Sequence, residues 1–267
     1  MYSLLKKMKK AICKKHAKTD ELEKENIKES IRITKNNTIT IKKIFHSTFL
    51  ITYPDGITVL TDPYFNNISM GSLKLAETNN TKKESLPKID IILISHEHFD
   101  HFDKEAIKFF VERDKCIVIG PLEVTKELEL QKNEERTVKV DDEIVVATIK
   151  IKVVPAQHHQ SFYPVGFVLE KDNKKIYFAG DTNTLPNIVK DINLAIMPCG
   201  GIFTSDLFEF ISMVRQLKCE IAIPMHYNTF EIIKIDCEKL KVRCEEKLKN
   251  SCVKILENGE SMQIKIE

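Results

Sequence analysis

From residue 38 onward the chain alternates between short apolar runs and polar turns. Residues 39–41, 49–51 and 57–60 are rich in β-branched and aromatic side chains, which predicts strands. The run at 91–94 is apolar at every position, as is typical of a strand buried on both faces. It leads directly into the polar heptapeptide SHEHFDH at 95–101. The sequence therefore predicts a buried strand that opens into a loop.

Helical and extended periods alternate over the rest of the chain. Apolar residues at helical spacing predict helices at 103–113, 208–217 and 236–250, the first of them capped by Asp103. Further strands are predicted at 116–119, 166–170, 174–179, 194–198, 220–224, 253–256 and 262–266, with extended runs over 137–154 interrupted by a turn at 141–143. This order of elements makes two similar halves. It indicates an α/β protein with two sheets that are faced by helices.

Four of the seven residues at 95–101 can bind a divalent cation, namely His96, His98, Asp100 and His101. His96 and His98 alternate on an extended chain, so both imidazoles can face one metal. Asp100 and His101 lie further along the bend, where they can bind a second metal. A single histidine beside a strand is usually a core or surface residue. Packing gains nothing from so many desolvated polar groups, so the cluster favours a metal site.

The pattern His-x-His-x-Asp-His after a strand resembles the signature of the metallo-β-lactamase superfamily. Four further motifs support the resemblance in the expected order: TDP at 61–63, PAQH at 155–158, AGDT at 179–182 and PMHY at 224–227. The resemblance extends from about residue 38 to the C-terminus. Within the superfamily, the motifs are similar to the branch that holds ascorbate-6-phosphate lactonase and the N-acyl-phosphatidylethanolamine-hydrolysing phospholipase D. The resemblance to the superfamily implies a four-layer αββα sandwich, in which loops of both halves meet at one sheet edge.

The resemblance also implies seven ligands for two divalent ions, three for each ion and one shared between them. They are His96, His98 and His158 for the first ion, Asp100, His101 and His226 for the second, and Asp181 as the bridge. Imidazole and carboxylate donors suit zinc, with manganese or iron as alternatives. The nucleophile is then a metal-bound hydroxide, which Asp100 would orient. Asp62, at the end of its strand, would fix the orientation of a ligand.

Two adjacent histidines compete for one of these positions. The motif places His158 on the metal, immediately after Gln157, and leaves His159 either to polarise the substrate or to be solvated. Neighbouring side chains of an extended segment point to opposite faces, so only one of the two can easily face the metals.

His46 is a further catalytic candidate. It lies in the segment FHSTFL at 45–50, where the similar branch has glycine in place of Phe45. Two roles are open for its imidazole: it approaches the substrate, or it satisfies a carbonyl group of the strand.

Composition limits the class of protein. An apolar fraction of 42% is enough for a core, and no stretch reaches the roughly twenty apolar residues that span a bilayer. No secretory signal opens the sequence. The seven cysteines are scattered and form no Cys-x-x-Cys pair, which favours reduced thiols in a cytoplasmic protein.

The charge is unevenly distributed. Seven lysines fall within the first eighteen residues, and removing them from the net charge of +2 leaves −5 for the rest. The rest of the chain is thus mildly acidic, which argues against nucleic-acid binding, because that depends on cationic contacts to phosphates. We divide the chain into a basic arm at 1–37 and a hydrolase domain at 38–267. The arm is either a weakly membrane-attracted amphipathic helix or a flexible, solvated segment.

These observations predict a metal-dependent hydrolase that cleaves an ester, lactone or phosphodiester bond in a small anionic substrate. One alternative is a nuclease of the same fold, which the acidic body opposes. Another is a metal-binding sensor without catalytic activity.

Overall fold

Two seven-stranded sheets form the centre of the part of the chain that the structure describes, residues 37–71, 73–187 and 189–266. The structure is a computed structural model. The basic arm at 1–36 lies outside the described residues, so the interpretation of its role remains a prediction, as does the division at residue 37.

The first sheet comes mainly from the N-terminal half. Its strands are β1 (Thr38–Phe45), β2 (Thr48–Thr52), β3 (Thr58–Thr61), β4 (Ile91–Leu93), β5 (Ile117–Gly120), β6 (Glu135–Thr137) and β14 (Ser261–Lys265). Their spatial order is β14-β1-β2-β3-β4-β5-β6. Pairing is antiparallel from β14 to β3 and parallel from β3 to β6.

The second sheet repeats this scheme. Its strands are β7 (Glu143–Val146), β8 (Ile149–Pro155), β9 (Val165–Lys171), β10 (Lys174–Phe178), β11 (Leu194–Pro198), β12 (Ile221–Met225) and β13 (Cys252–Val253), in the spatial order β13-β12-β11-β10-β9-β8-β7. Pairing is antiparallel from β7 to β10 and parallel from β10 to β13.

Four α-helices flank the sheets in the described part of the chain. They are α1 (Lys104–Asp114), α2 (Leu122–Leu128), α3 (Leu207–Leu217) and α4 (Cys237–Lys247). Single turns of 3-10 helix occur at Lys83–Ser85 and Glu231–Ile233. The Asp103 carboxylate accepts a hydrogen bond from the Ala106 amide and caps α1, as predicted. Asp206 and Glu209 form a capping box at the start of α3.

Burial divides the molecule into four layers. Ile91 and Leu93 of β4 face the core between the sheets, whereas Ile92 and Ile94 face the core shared with α1. A third apolar cluster joins the second sheet to α3 and α4. Strand β4 is therefore buried on both faces, which explains its unbroken apolar run. The predicted αββα sandwich is confirmed.

Some predicted boundaries differ from the structure. The region 137–154 contains a second turn at Ala147 and Thr148, whose φ angles of 47° and 70° let β7 and β8 form a tight hairpin. Neither residue is the glycine or asparagine that usually marks such a turn, so the pattern gave no signal. The predicted strand at 253–256 is reduced to Cys252–Val253.

None of the helices in the described part of the chain has the length and apolar character needed to cross a bilayer. The six cysteines found there are all free thiols. The cytoplasmic location stays a prediction.

Candidate metal centre

Strand ends of both sheets deliver the predicted ligands to one place. His96 and His98 follow β4, and His158 follows β8. Asp181 follows β10, and His226 comes directly after β12. All seven predicted ligands lie in two neighbouring groups that share Asp181.

The first group consists of His96, His98 and His158. Nδ1 of His98 lies 3.1 Å from Nε2 of His96 and 3.1 Å from Nε2 of His158. Nδ1 of His98 carries either one proton or one lone pair, so it can form a full hydrogen bond with only one of the other two nitrogens. Three nitrogens that converge in this way fit three ligands of one tetrahedral ion.

Acceptors on the outside of the first group fix which nitrogen points inward. The Phe203 carbonyl accepts a hydrogen bond from Nδ1 of His158 at 3.2 Å, and the Gln160 carbonyl accepts one from Nε2 of His98 at 3.1 Å. Carbonyl oxygens only accept, so the proton of each ring lies on the outer nitrogen. The inner nitrogen keeps its lone pair for a metal.

The second group consists of Asp100, His101 and His226. Nε2 of His226 lies 3.8 Å from Oδ2 of Asp100, and Nε2 of His101 lies 4.0 Å from the same oxygen. Nε2 of His101 and Oδ1 of Asp181 are 3.4 Å apart; both atoms are buried, and neither makes a hydrogen bond within the described structure. Buried polar atoms without partners are rare in proteins, and a cation between them would satisfy both.

Asp181 belongs to both groups. Its Oδ2 atom lies 3.1 Å from Nε2 of His226, 3.9 Å from Nε2 of His96 and 3.8 Å from Nε2 of His158. The donor set of nitrogen and carboxylate oxygen fits two divalent ions with a shared carboxylate.

Asp62 organises ligands of both groups through hydrogen bonds. Its Oδ2 atom accepts from Nδ1 of His101 at 2.7 Å and from the Ser95 hydroxyl at 2.6 Å. Because the Ser95 hydroxyl donates to Asp62, its oxygen accepts the proton of His96 Nδ1 at 2.8 Å. Asp62 also accepts from the Ser95 amide at 2.7 Å. One buried carboxylate thus directs Nε2 of both His96 and His101 toward the centre. Burial opposes a charge on His101, but the carboxylates of Asp181 and Asp100 outweigh it and raise the pKa of His101 well above its ordinary value, so a bound metal would replace the Nε2 proton.

Burial and neighbouring charges set the protonation of the centre. Burial lowers the pKa of His96 well below its ordinary value, with a further contribution from the charge of His101, and burial also lowers the pKa of His158. Both rings are therefore neutral near pH 7, as a metal ligand must be. Burial opposes ionisation of Asp181, but the charges of His101 and His226 outweigh it and hold the pKa well below its usual range.

His46 lies beside Asp100 and is only 1% exposed. Its Nε2 atom is 3.2 Å from Oδ2 of Asp100, and its Nδ1 atom is 2.9 Å from the Thr229 hydroxyl. Burial lowers the pKa of His46 to about 3, so the ring is neutral. Its polar contacts in the described structure are with a carboxylate and a hydroxyl, and neither is the strand carbonyl considered above. Its ring also contacts the rings of His101 and His226, with which it shares a group of potential ligands. Nothing in the sequence links Thr229 to His46, because 183 residues separate them.

His159 is exposed, next to the buried His158. It belongs to none of the groups of potential ligands found in the described residues. The two side chains therefore differ in burial, although β8 ends at Pro155 and a turn at His159, not strand alternation, separates them.

Two glycines allow the loops to pack this closely. A Cβ atom on Gly200 would lie 2.1 Å from the His226 carbonyl oxygen, and one on Gly180 would lie 2.6 Å from Cβ of Ser95. Gly180 also has a φ angle of 60°, which favours glycine. The strand-end loops of both sheets can approach one another only because these side chains are absent.

Comparisons with known proteins agree with this chemistry. A family model described as the beta-lactamase superfamily domain matches residues 58–227. A UPF0173 metal-dependent hydrolase of Nanoarchaeum equitans is 31% identical over 222 residues, which cover 78% of this chain and 92% of that protein. A second UPF0173 metal-dependent hydrolase, from Hyperthermus butylicus, is 28% identical and covers 84% of this chain and 98% of its own length.

The fold has a similar counterpart among solved structures. Igni18, a metallo hydrolase from Ignicoccus hospitalis, has a TM-score of 0.73 at 24% identity and covers 86% of this chain and 100% of its own. The likeness to the lactonase and phospholipase branch stays a prediction. The range matched by the family model contains all seven potential ligands, and the relatives are metal-dependent hydrolases. This chain accordingly belongs to the metallo-β-lactamase superfamily and is a metal-dependent hydrolase.

Proposed function

We propose that the protein binds two divalent ions at this centre and hydrolyses an ester, lactone or phosphodiester bond in a small anionic molecule. The observation that carries the proposal is the shared position of Asp181 between two sets of inward-facing donor atoms. We propose zinc as the preferred ion, with manganese or iron as alternatives, because the donors are imidazole and carboxylate.

The ions would lower the pKa of a bound water and polarise the bond under attack. The chain's own residues supply orientation. His46 lies beside the second group, and the short contact between its Nε2 atom and Asp100 restricts the direction of the carboxylate. We propose that Asp100 directs the attacking water and that His46 holds Asp100 in place. His159, exposed beside the first group, is proposed to contact the substrate.

Charge supports an anionic substrate. Two divalent ions together with the carboxylates of Asp100 and Asp181 would leave a positive centre when the histidines are neutral. A positive centre at a sheet edge attracts anions and stabilises negative charge that develops during hydrolysis.

Apolar side chains beside the centre support a substrate with an apolar portion. Phe162 is 85% exposed and lies two residues from Gln160, whose carbonyl binds His98. Ile202 is 63% exposed and precedes Phe203, whose carbonyl binds His158. Large exposed apolar groups on the loops that hold ligands are suited to substrate contact.

The test combines metal analysis with a substrate panel. We expect two transition-metal ions per chain by elemental analysis, loss of hydrolysis after chelation, and activity on at least one of p-nitrophenyl esters, lactones or bis-p-nitrophenyl phosphate. Asp181→Asn should lose metal and activity, whereas Asp191→Asn, at an exposed aspartate outside both groups, should retain them. A metal-free preparation with full activity would contradict the proposal. Binding of metal without turnover of any substrate would favour a sensor, and cleavage of RNA alone would favour a nuclease.

A further inference from the structure

A cavity of about 1040 Å³ is lined by residues from β1, α4 and the segment that precedes β14, among others. None of the residues assigned to the metal centre lines it. Its wall includes the Tyr227 ring together with Leu248 and Leu256, both of which are buried side chains. The volume is sufficient for a ligand the size of an ordinary metabolite.

Lys43 occupies a core position of β1 and lines this cavity. Side chains alternate along a strand, so Lys43 shares a face with Ile39 and Ile41, which pack between the two sheets. Lys43 is only 5% exposed. Its backbone is held on both sides, since its amide donates to the Glu260 carbonyl and its carbonyl accepts from the Gly259 amide.

The ammonium group of Lys43 has no anionic partner in the part of the chain that the structure describes. It makes neither an ion pair nor a side-chain hydrogen bond there, and its contact is with the face of Tyr227, 4.2 Å from the ring centroid. Burial lowers the pKa of Lys43 to about 8, although the surrounding carboxylates and thiols, Glu77 among them, oppose the shift. A buried ammonium without a counter-ion is costly, and a ligand carboxylate would reduce that cost.

We propose that this cavity is a binding site for a small monocarboxylate with an apolar body. The carboxylate pairs with the Lys43 ammonium, and the apolar portion lies against Tyr227, Leu248 and Leu256. The site is separate from the proposed hydrolytic activity.

The charge around the cavity selects against polyanions. Five exposed glutamates line it, and two exposed lysines offset them only in part; these residues are Glu77, Glu238, Glu245, Glu257, Glu260, Lys241 and Lys254. A molecule with a single negative charge can reach Lys43 past this acidic wall with little repulsion. Phosphate and citrate carry two or more charges and are repelled.

The metal-loaded protein is titrated with hexanoate, phenylacetate, citrate and inorganic phosphate, and calorimetry measures the binding of each. We compare the wild type with Lys43→Met, which keeps an unbranched side chain one atom shorter, and with Lys241→Met as a control at an exposed lysine of the same cavity. Lys43→Met should fold, because replacing a buried unpaired charge by an apolar side chain is often stabilising. A thermal melt of each variant verifies this.

We expect hexanoate and phenylacetate to bind saturably, with affinity reduced about tenfold or more in Lys43→Met and by less than about twofold in Lys241→Met. Citrate and phosphate should show no binding that depends on Lys43. Carboxylate binding that is unchanged in Lys43→Met would arise at the metal centre and would overturn the proposal. Absence of saturable binding to the wild type, or equal Lys43-dependent binding of citrate, would overturn it as well.

Discussion

Replacing Asp62 by asparagine should impair both groups of ligands through a single buried position. In the wild type, Oδ1 accepts from the Ser95 amide, while Oδ2 accepts from the Ser95 hydroxyl and from His101 Nδ1. Asparagine offers one oxygen and one NH2 group. If the oxygen stays with the Ser95 amide, the NH2 group faces His101 and forces its proton onto Nε2, the atom that faces Asp181 at 3.4 Å.

The expected size of the effect follows from these contacts. His101 would become a donor where a ligand must offer a lone pair, and changes to such outer hydrogen bonds cost about 10–100-fold in metal affinity or activity. If the asparagine side chain is rotated the other way, its NH2 group faces the backbone N–H of Ser95, and both groups are donors. Either arrangement leaves a buried polar group unsatisfied, which should lower the free energy of unfolding by about 1–3 kcal/mol.

The assay measures metal retention against a competing chelator, turnover on one substrate, and urea unfolding. Ser95→Ala is the matched control, because it retains the amide bond to Asp62 and the contact of Asp62 with His101. That variant removes only the hydroxyl between Asp62 and His96, so it should weaken the first group and spare the second. Wild-type metal affinity and turnover in Asp62→Asn would refute the assignment of ring orientation to this carboxylate.

Three further predictions concern other parts of the structure. His158→Ala should lose metal and reduce turnover by more than about a hundredfold, whereas His159→Ala should keep its metal and change mainly KM or the pH profile; metal loss in His159→Ala alone would reverse the assignment. Gly200→Ala should lower the free energy of unfolding by about 1–3 kcal/mol in denaturant titrations, because its Cβ would lie 2.1 Å from the His226 carbonyl oxygen; an unchanged midpoint would contradict this. The third prediction compares the free energy of unfolding of the wild type with that of Lys43→Met. The difference, wild type minus variant, should rise by about 3 kcal/mol between pH 8 and 10.5, because over this range the unfolded chain keeps the Lys43 proton that the folded chain has lost. A difference that does not change with pH would contradict the lowered pKa.

The layered fold and the positions of the potential ligands could be predicted from the sequence. His226 comes directly after a buried strand and His96 comes three residues after one, and both strands can be recognised from their apolar runs. Parallel strands that end at one sheet edge bring such residues together, whatever the intervening loops do. The resemblance to the metallo-β-lactamase superfamily implied the division of the ligands into two groups, and the topology explains why these positions meet.

The partners of these ligands were less accessible to sequence reasoning. The carbonyls of Gln160 and Phe203 are backbone groups, which every residue has, so no residue type marks them. Lys43 did carry a signal that was missed, since a lysine at an inward position of a strand that contains Ile39 and Ile41 conflicts with the core pattern. Such a local conflict is what a binding site is expected to leave in a sequence.

The backbone at the centre shows why its residues cannot be chosen for folding alone. His46, Asp62 and His226 each follow the last residue of a strand, and their φ angles are 48°, 33° and 56°. Side chains other than glycine incur about 1–3 kcal/mol in sparsely populated backbone conformations of this kind. The chain must leave the strand direction abruptly there, so that the imidazole or carboxylate faces the centre and does not continue along the sheet. Glycine would adopt the same conformation at lower energy but would offer no donor atom. The donor atom therefore decides the residue type at these three positions, and packing of the two sheets stabilises the strained turns.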